Sequence, residues 1–294
     1  MYAFGGLMKK IISSLCVALA GSLLFAYDIA SEAQIKDGAK SVTRTDFSIV
    51  SKFGEYFRTP STKFTYILDA NGKILESAEL TARDAIINKI TNVYDEKGNL
   101  KEQTCSDSDG ILLWKSAVTY KNGKKSDVSD FGKDGSLKTK TIYLYENSKL
   151  SDETVYNSDG ALINKTTYKY DDKGRISVQD IYFSDGSLAQ ESQISYTEKG
   201  AKDTVSYYDL HGKLTSKCVF RYAANGTLSE VTTYGADNQT TTRQLVKYDA
   251  NGNISRITTY NVAKKFGTTV NEMTEMIEFA YSYGSAAMPT LDAK

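Results

Sequence analysis

Three kinds of residue in this 294-residue chain could do chemistry: a single histidine, three cysteines, and carboxylates that recur beside glycine. His211 sits in Tyr208-Asp209-Leu210-His211-Gly212, in a slot that sister segments fill with Asp, Lys or Asn, and it reads as a turn residue. Without a second histidine, zinc sites and histidine-based triads have too few partners. Asp107-Ser108-Asp109-Gly110 and Asp249-Ala250-Asn251-Gly252-Asn253 have a faint likeness to calcium loops. Their glycine is misplaced, however, and no glutamate follows at the required distance, so a turn explains them without a metal. Cys16 lies in an apolar N-terminal run. Cys105 and Cys218 lie nine strand steps apart on an open sheet, roughly 43 Å at about 4.8 Å per step, and are expected as free thiols. The carboxylates are spread evenly over turns and do not converge as a hydrolase would need. These residues point to a chain that is not an enzyme and takes no cofactor or metal.

The aromatics carry the remaining functional claim. An aromatic followed four residues later by glycine recurs along the chain, and from Tyr156 the anchors fall at 156, 170, 182, 196, 208, 222, 234, 248 and 260. The spacing alternates between 14 and 12, a 26-residue unit with two turns. Asp or Asn opens each turn, and glycine accepts the left-handed conformation that closes it. Two residues later comes Leu or Ile, which starts a strand running to the next tyrosine. Leu162 and Tyr170 share parity, as do Ile176 and Tyr182, so both ends of each strand are expected on one face. That face then carries two aromatic rails with a polar trough between them, in which Asp180, Glu230, Gln244 and Arg256 lie. Tyr168, Tyr170, Tyr182, Tyr196, Tyr208, Tyr222, Tyr234 and Tyr248 form the expected binding face, because stacked rings suit sugars or apolar partners.

The elements that position these rings are strands. Only Pro60 and Pro289 are proline, which suits a sheet whose backbone N–H groups are nearly all used. The expected fold is all-β, a repeat protein forming one long antiparallel meander of about 14 to 17 strands, twisted or curled. Residues 1–26 read as a signal peptide, with Lys9 and Lys10 before the apolar run from Ile11 to Phe25. Residues 27–63 read as an N-terminal cap, 64–262 as the hairpin array, and 263–294 as a C-terminal cap with a short helix near Val270 to Met276. Lys plus Arg equal Asp plus Glu at 36 each, which leaves no electrostatic footprint for nucleic acid.

Tyr168-Lys169-Tyr170-Asp171-Asp172-Lys173-Gly174-Arg175-Ile176 resembles the tyrosine-aspartate repeat of Rhs and teneurin-type proteins, and Val246 to Ile254 resembles another copy. The shorter Phe183-Ser184-Asp185-Gly186 copies look as much like MORN-like bacterial hairpin repeats. The resemblance covers residues 90 to 262. It implies a β-hairpin array of the kind that, in large relatives, winds into shells or displays binding surfaces; encapsulation is not carried over to so short a chain.

The reading that follows is an exported, periplasmic or surface-exposed binding or scaffold module of the cell envelope. Its partner would be a glycan or envelope protein, and no integral span would remain after leader removal. The alternative is an outer-membrane β-barrel, suggested by the leader and the many strands.

Overall fold

The computed structural model describes residues 27–30, 35, 38–265 and 267–284. The expected signal peptide, Cys16 and the last ten residues of the C-terminal segment lie outside the described residues.

The corners fold as their chemistry dictates. In Asp171-Asp172-Lys173-Gly174, the Gly174 N–H donates to the Asp171 carbonyl (3.0 Å) and the Asp171 N–H to the Arg175 carbonyl (2.9 Å). The Asp171 carboxylate accepts the Lys173 and Arg175 N–H groups at 3.0 and 2.8 Å. Gly174 closes the corner at φ +79°. Where glycine is missing, Asp84 (φ 66°) and Asn238 (φ 59°) take the same left-handed conformation.

Eighteen strands result among the described residues. The first nine are β1 Ser41–Lys52, β2 Glu55–Leu68, β3 Ile74–Thr81, β4 Ile86–Tyr94, β5 Leu100–Asp107, β6 Leu112–Lys121, β7 Lys124–Gly132, β8 Leu137–Glu146 and β9 Lys149–Asn157. The second nine are β10 Leu162–Tyr170, β11 Ile176–Phe183, β12 Leu188–Tyr196, β13 Lys202–Tyr208, β14 Leu214–Tyr222, β15 Leu228–Gly235, β16 Thr240–Tyr248, β17 Ile254–Lys265 and β18 Thr268–Ser282.

Each strand pairs antiparallel with the next along the chain, and β1 pairs with both β2 and β18. The β1–β18 ladder runs from Ser41 opposite Ser282 to Ser48 opposite Glu275. The sheet is therefore a closed 18-strand antiparallel barrel and not an open meander. The segments expected to cap two free edges instead pair with each other, and the stretch read as a helix near Val270 to Met276 lies within β18. Closure also sets aside the resemblance to tyrosine-aspartate and MORN-like repeat arrays. The 26-residue beat records hairpin spacing, but its ends do not stay open for more copies.

The chain divides into two compact units, Met1–Ile87 with Cys218–Lys294, and Asn88–Lys217. In the first, Val42, Tyr66, Leu68, Phe220, Val231, Val246, Ile257, Ile277 and Phe279 are buried together with Ile29 and Ala30. Tyr27 stands edge-on to Phe220, ring centroids 4.8 Å apart. In the second, Ile90, Asn92, Gln103, Cys105, Ser116, Val118, Val128, Ser192 and Val205 are buried, and the Gln103 amide donates to the Asn92 side-chain oxygen at 2.8 Å. Cys105 and Cys218 are both buried, and neither is in a disulfide.

Candidate functional site

The faces of the sheet are decided by a bulge that follows nearly every corner. Tyr170 stands opposite Ile176, yet the next rung joins Lys169 to Val178, leaving Ser177 as an extra residue. The same shift recurs at Tyr182 with Leu188, Tyr196 with Lys202, Tyr234 with Thr240 and Tyr248 with Ile254. An extra residue reverses parity for the rest of the strand. The single tyrosine face read from the sequence is therefore two faces.

In the unit Asn88–Lys217, Tyr168, Tyr170 and Tyr196 share a face with Ser192, Ile194 and Val205. Tyr182 and Tyr208 lie on the opposite face with Lys165, Asp180 and Glu191. In the other unit, Tyr248 lies with Val246, Gln244 and Val231, while Tyr234 lies with Thr232 and Arg243. Tyr222 shares parity with the buried Cys218 and Phe220. No common trough exists: Asp180 and Gln244 are buried, but Glu230 and Arg256 stand on the face opposite Gln244.

The longer-spaced tyrosines are held in place. The Tyr170 hydroxyl donates to the Leu150 carbonyl at 2.8 Å, Tyr196 to Ile176 at 2.7 Å and Tyr248 to Leu228 at 3.0 Å. Each thus bonds a carbonyl at the start of the preceding strand, the first residue of β11 and β15 and the second of β9. Cations roof two of these rings, Lys149 Nζ 5.0 Å above Tyr170 and the Arg175 guanidinium 4.1 Å above Tyr196. Hydroxyl and ring face are both occupied by the chain itself.

The opposite face of the same unit carries cross-strand ion pairs: Lys115–Glu102 (2.6 Å), Lys140–Asp127 (3.7 Å), Lys165–Asp152 and Lys169–Asp180 (3.4 Å). Asp180 is buried, and its Oδ1 has no hydrogen-bond partner. Across β11 to β13, a shallow cleft of about 230 Å³ is lined by Ser177, Val178, Gln193, Ile194, Ser195, Thr204 and Ser206. In the other unit, Arg243 pairs with Glu230 (2.8 Å), and Arg58 and Arg256 both reach Glu278 (2.6 Å each).

His211 is exposed in its corner, its backbone N–H donating to Asp209 Oδ1 at 2.9 Å. Asp107 and Asp249 spend Oδ1 on their own turns. No group of three or more His, Cys, Asp or Glu among the described residues could hold a metal ion. The carboxylates of Asp107, Asp209 and Asp249 are committed to their corners, and those of Glu102, Asp127, Asp152, Glu230 and Glu278 to ion pairs.

Sequence reasoning passed over one feature, the end of the β1–β2 hairpin, where Phe53 is fully exposed and Val50, Tyr56 and Phe57 are exposed beside it. A signal was available, because Lys52-Phe53-Gly54 recurs as Lys265-Phe266-Gly267.

No family model matches the chain, and no curated protein matches it. Among solved structures, it is similar to a porin-like protein from Bacteroides uniformis at 10% identity over 83% of this chain and 96% of that one, with a TM-score of 0.46. A porin-like protein from Bacteroides vulgatus is similar at 11% identity over 83% and 98%, TM-score 0.35. A TcdB2–TccC3–Cdc42 structure is similar at 12% identity over 79% of this chain and 16% of that one, TM-score 0.30. At these identities and scores the likenesses say nothing of function, and the correction from meander to barrel rests on this chain's own β1–β18 ladder.

Proposed function

We propose that this chain is a β-barrel of the outer-membrane class with a pore or transport role. The observation that carries the proposal is the β1–β18 ladder, which leaves the sheet without an unpaired edge. Hydrocarbon offers no hydrogen bonds to backbone groups, so a β-structure can enter it only when closed. Two further features support the reading. The strand number is even and the connectivity strictly sequential. Most strands hold 8 to 10 residues, near the roughly 9 to 11 that cross a bilayer when tilted.

The expectation of an open periplasmic or surface scaffold, with a glycan or envelope protein partner and no integral span, rested on an open meander that presents one tyrosine face. The closed ladder withdraws it. The barrel reading makes its own demand: an Arg or Lys facing lipid at mid-bilayer costs about 2–4 kcal/mol, so the face bearing Lys115–Glu102 and Lys140–Asp127 has to meet water.

The test is to express the full chain in a Gram-negative host, wash membranes with alkaline carbonate, and compare gel mobility before and after boiling. Retention in the washed membrane, heat-modifiable mobility and conductance across a planar bilayer are expected. Recovery as a salt-soluble monomer would mean that the ion-paired face is the solvated surface, and would overturn the reading.

A further inference from the structure

The two longest hairpins of the chain run past their neighbours. β1 pairs with β18 only as far as Ser48, and β2 pairs with β3 only from Thr62 onward. Residues 49–61 therefore continue as a free-standing two-stranded end, closed by the rungs Val50–Phe57, Ser51–Tyr56 and Lys52–Glu55. At about 3.3 Å per residue, the four residues from Ile49 to Lys52 carry the corner roughly 13 Å beyond the shared ladder. β17 likewise continues from Val262 to Lys265 after its last rung with β16. The Tyr56 hydroxyl donates to the Asn271 carbonyl at 3.3 Å, tying the two projections together.

The corner itself is chemically odd. Phe53 (φ 54°) and Gly54 (φ 82°) form a two-residue turn that needs positive φ at both positions, where Asn-Gly is the unstrained choice. A bulky aromatic is held in the left-handed region with the residue fully exposed, so neither local conformation nor packing accounts for it. Val50 and Phe57 form an exposed apolar cross-strand pair beneath it, and Lys52 precedes it. The nearby corners Ala82-Arg83-Asp84 and Ala236-Asp237-Asn238 carry no aromatic residue.

We infer that this hairpin end is an interfacial anchor whose occupant is the headgroup layer of a phospholipid bilayer. Phe53, Phe57 and Val50 would sink to the acyl boundary, where aromatic side chains prefer to sit, while Lys52 meets the phosphates. Lys264 adds a cation of the same complementarity, whereas Lys265 is already paired with Glu272 at 2.5 Å. The inference deepens the barrel proposal by placing one end of the long strands at headgroup level. It rests on a bilayer being the partner but does not require the barrel to span it.

The test uses the full chain with Trp114→Phe and Phe53→Trp, which leaves one tryptophan at the tip. On mixed phosphatidylcholine–phosphatidylglycerol vesicles, the emission is expected to shift to the blue and to be quenched by brominated acyl chains. Phe53→Ser with Phe57→Ser should weaken vesicle binding at least about tenfold, as losing two buried aromatics implies. Both residues are exposed, so thermal unfolding of the variant should match the parent. An unshifted, unquenched spectrum overturns the inference. So does lipid-free self-association that the serine variant abolishes, which would make a second copy the occupant. Carbonate resistance of the parent is read separately: vesicle binding with loss of carbonate resistance sinks the spanning barrel and leaves the anchor. Carbonate resistance with an unquenched tip does the reverse.

Discussion

At the scale of single residues, Tyr196 shows what the aromatic beat is for. Its hydroxyl satisfies the Ile176 carbonyl at 2.7 Å and its ring lies under Arg175. Tyr196→Phe is expected to cost about 1 kcal/mol in denaturant unfolding, the usual worth of such a bond, with the fold intact. The corner aspartates define a pH response. Asp95, Asp134, Asp171, Asp185 and Asp209 are all held below the ordinary carboxylate range. For Asp95 the main cause is the Asn99 side chain, for Asp134 and Asp185 the hydroxyls of Ser136 and Ser187, and for Asp171 and Asp209 the N–H groups of Arg175 and Lys213. A lowered folded-state pKa means that the unfolded chain takes up protons first. This stability is therefore complete above an unfolded aspartate's pKa of about 3.9 and is lost as pH falls through the folded values. The urea midpoint should be flat above about pH 5 and fall below about pH 4. Asp171→Asn with Asp209→Asn should flatten that fall, since Asn keeps the acceptor oxygen without the proton. A midpoint that falls as steeply in the double variant would place the pH response elsewhere.

At the scale of elements, the corners were legible because an aromatic and a glycine have few other reasons to recur four apart with Asp or Asn between them. Upstream of Tyr156 the beat continues through Tyr120, Phe131 and Tyr145, and the steps to Phe131 and to Tyr156 are each 11 residues, one short of 12, for a structural reason. There the chain turns through two residues, Asn122-Gly123 and Asn147-Ser148, all at positive φ. Ser148 (φ 69°) occupies the position where glycine is free of strain. Ser148→Gly should stabilise the chain by up to about 1 kcal/mol, raising the melting temperature by roughly 2–4 °C; a lowered melting temperature would show that Ser148 makes a contact worth more than its strain. Faces were not legible. Counting by twos from Leu162 to Tyr170 assumes an unbroken strand, but the rungs jump from Leu162–Tyr156 to Asn164–Val155. Nothing in the side chains of Leu162, Ile163 and Asn164 announces the bulge, since it is set by how the corner hands over to the ladder. That one hidden residue per strand moved Arg256 and Tyr208 to the other side of the sheet.

At the scale of the molecule, closure was not written in the repeat. A meander with any number of copies has the same local pattern whether or not its ends meet, and the strands that meet, β1 and β18, lie outside the clear beat. Ser41 to Lys52 lacks the tyrosine–glycine spacing, and the Met-rich run before Ile277 reads equally well as helix. What joins them is visible only in register: Val42 opposite Tyr281, Arg44 opposite Phe279, Asp46 opposite Ile277. Arg44 is buried there, bonded to Asp46 of the same strand at 2.6 and 2.8 Å and lying 5.4 Å from the Phe64 ring of β2, so β1 carries its own charge pair beside the seam. The seam can be tested directly. Thr43 and Ala280 are partners across it, and antiparallel partners have Cα atoms about 4.5–5.5 Å apart, within disulfide reach. The variant Thr43→Cys with Ala280→Cys should form an intrachain bridge on mild oxidation of the folded monomer, detectable as a mobility shift that reductant reverses. Cys105 and Cys218 are buried and should take no part. In an open sheet those two positions would sit at opposite ends of the ladder, so a folded monomer that leaves both new thiols free would return the protein to a meander, and the barrel proposal would fall with it.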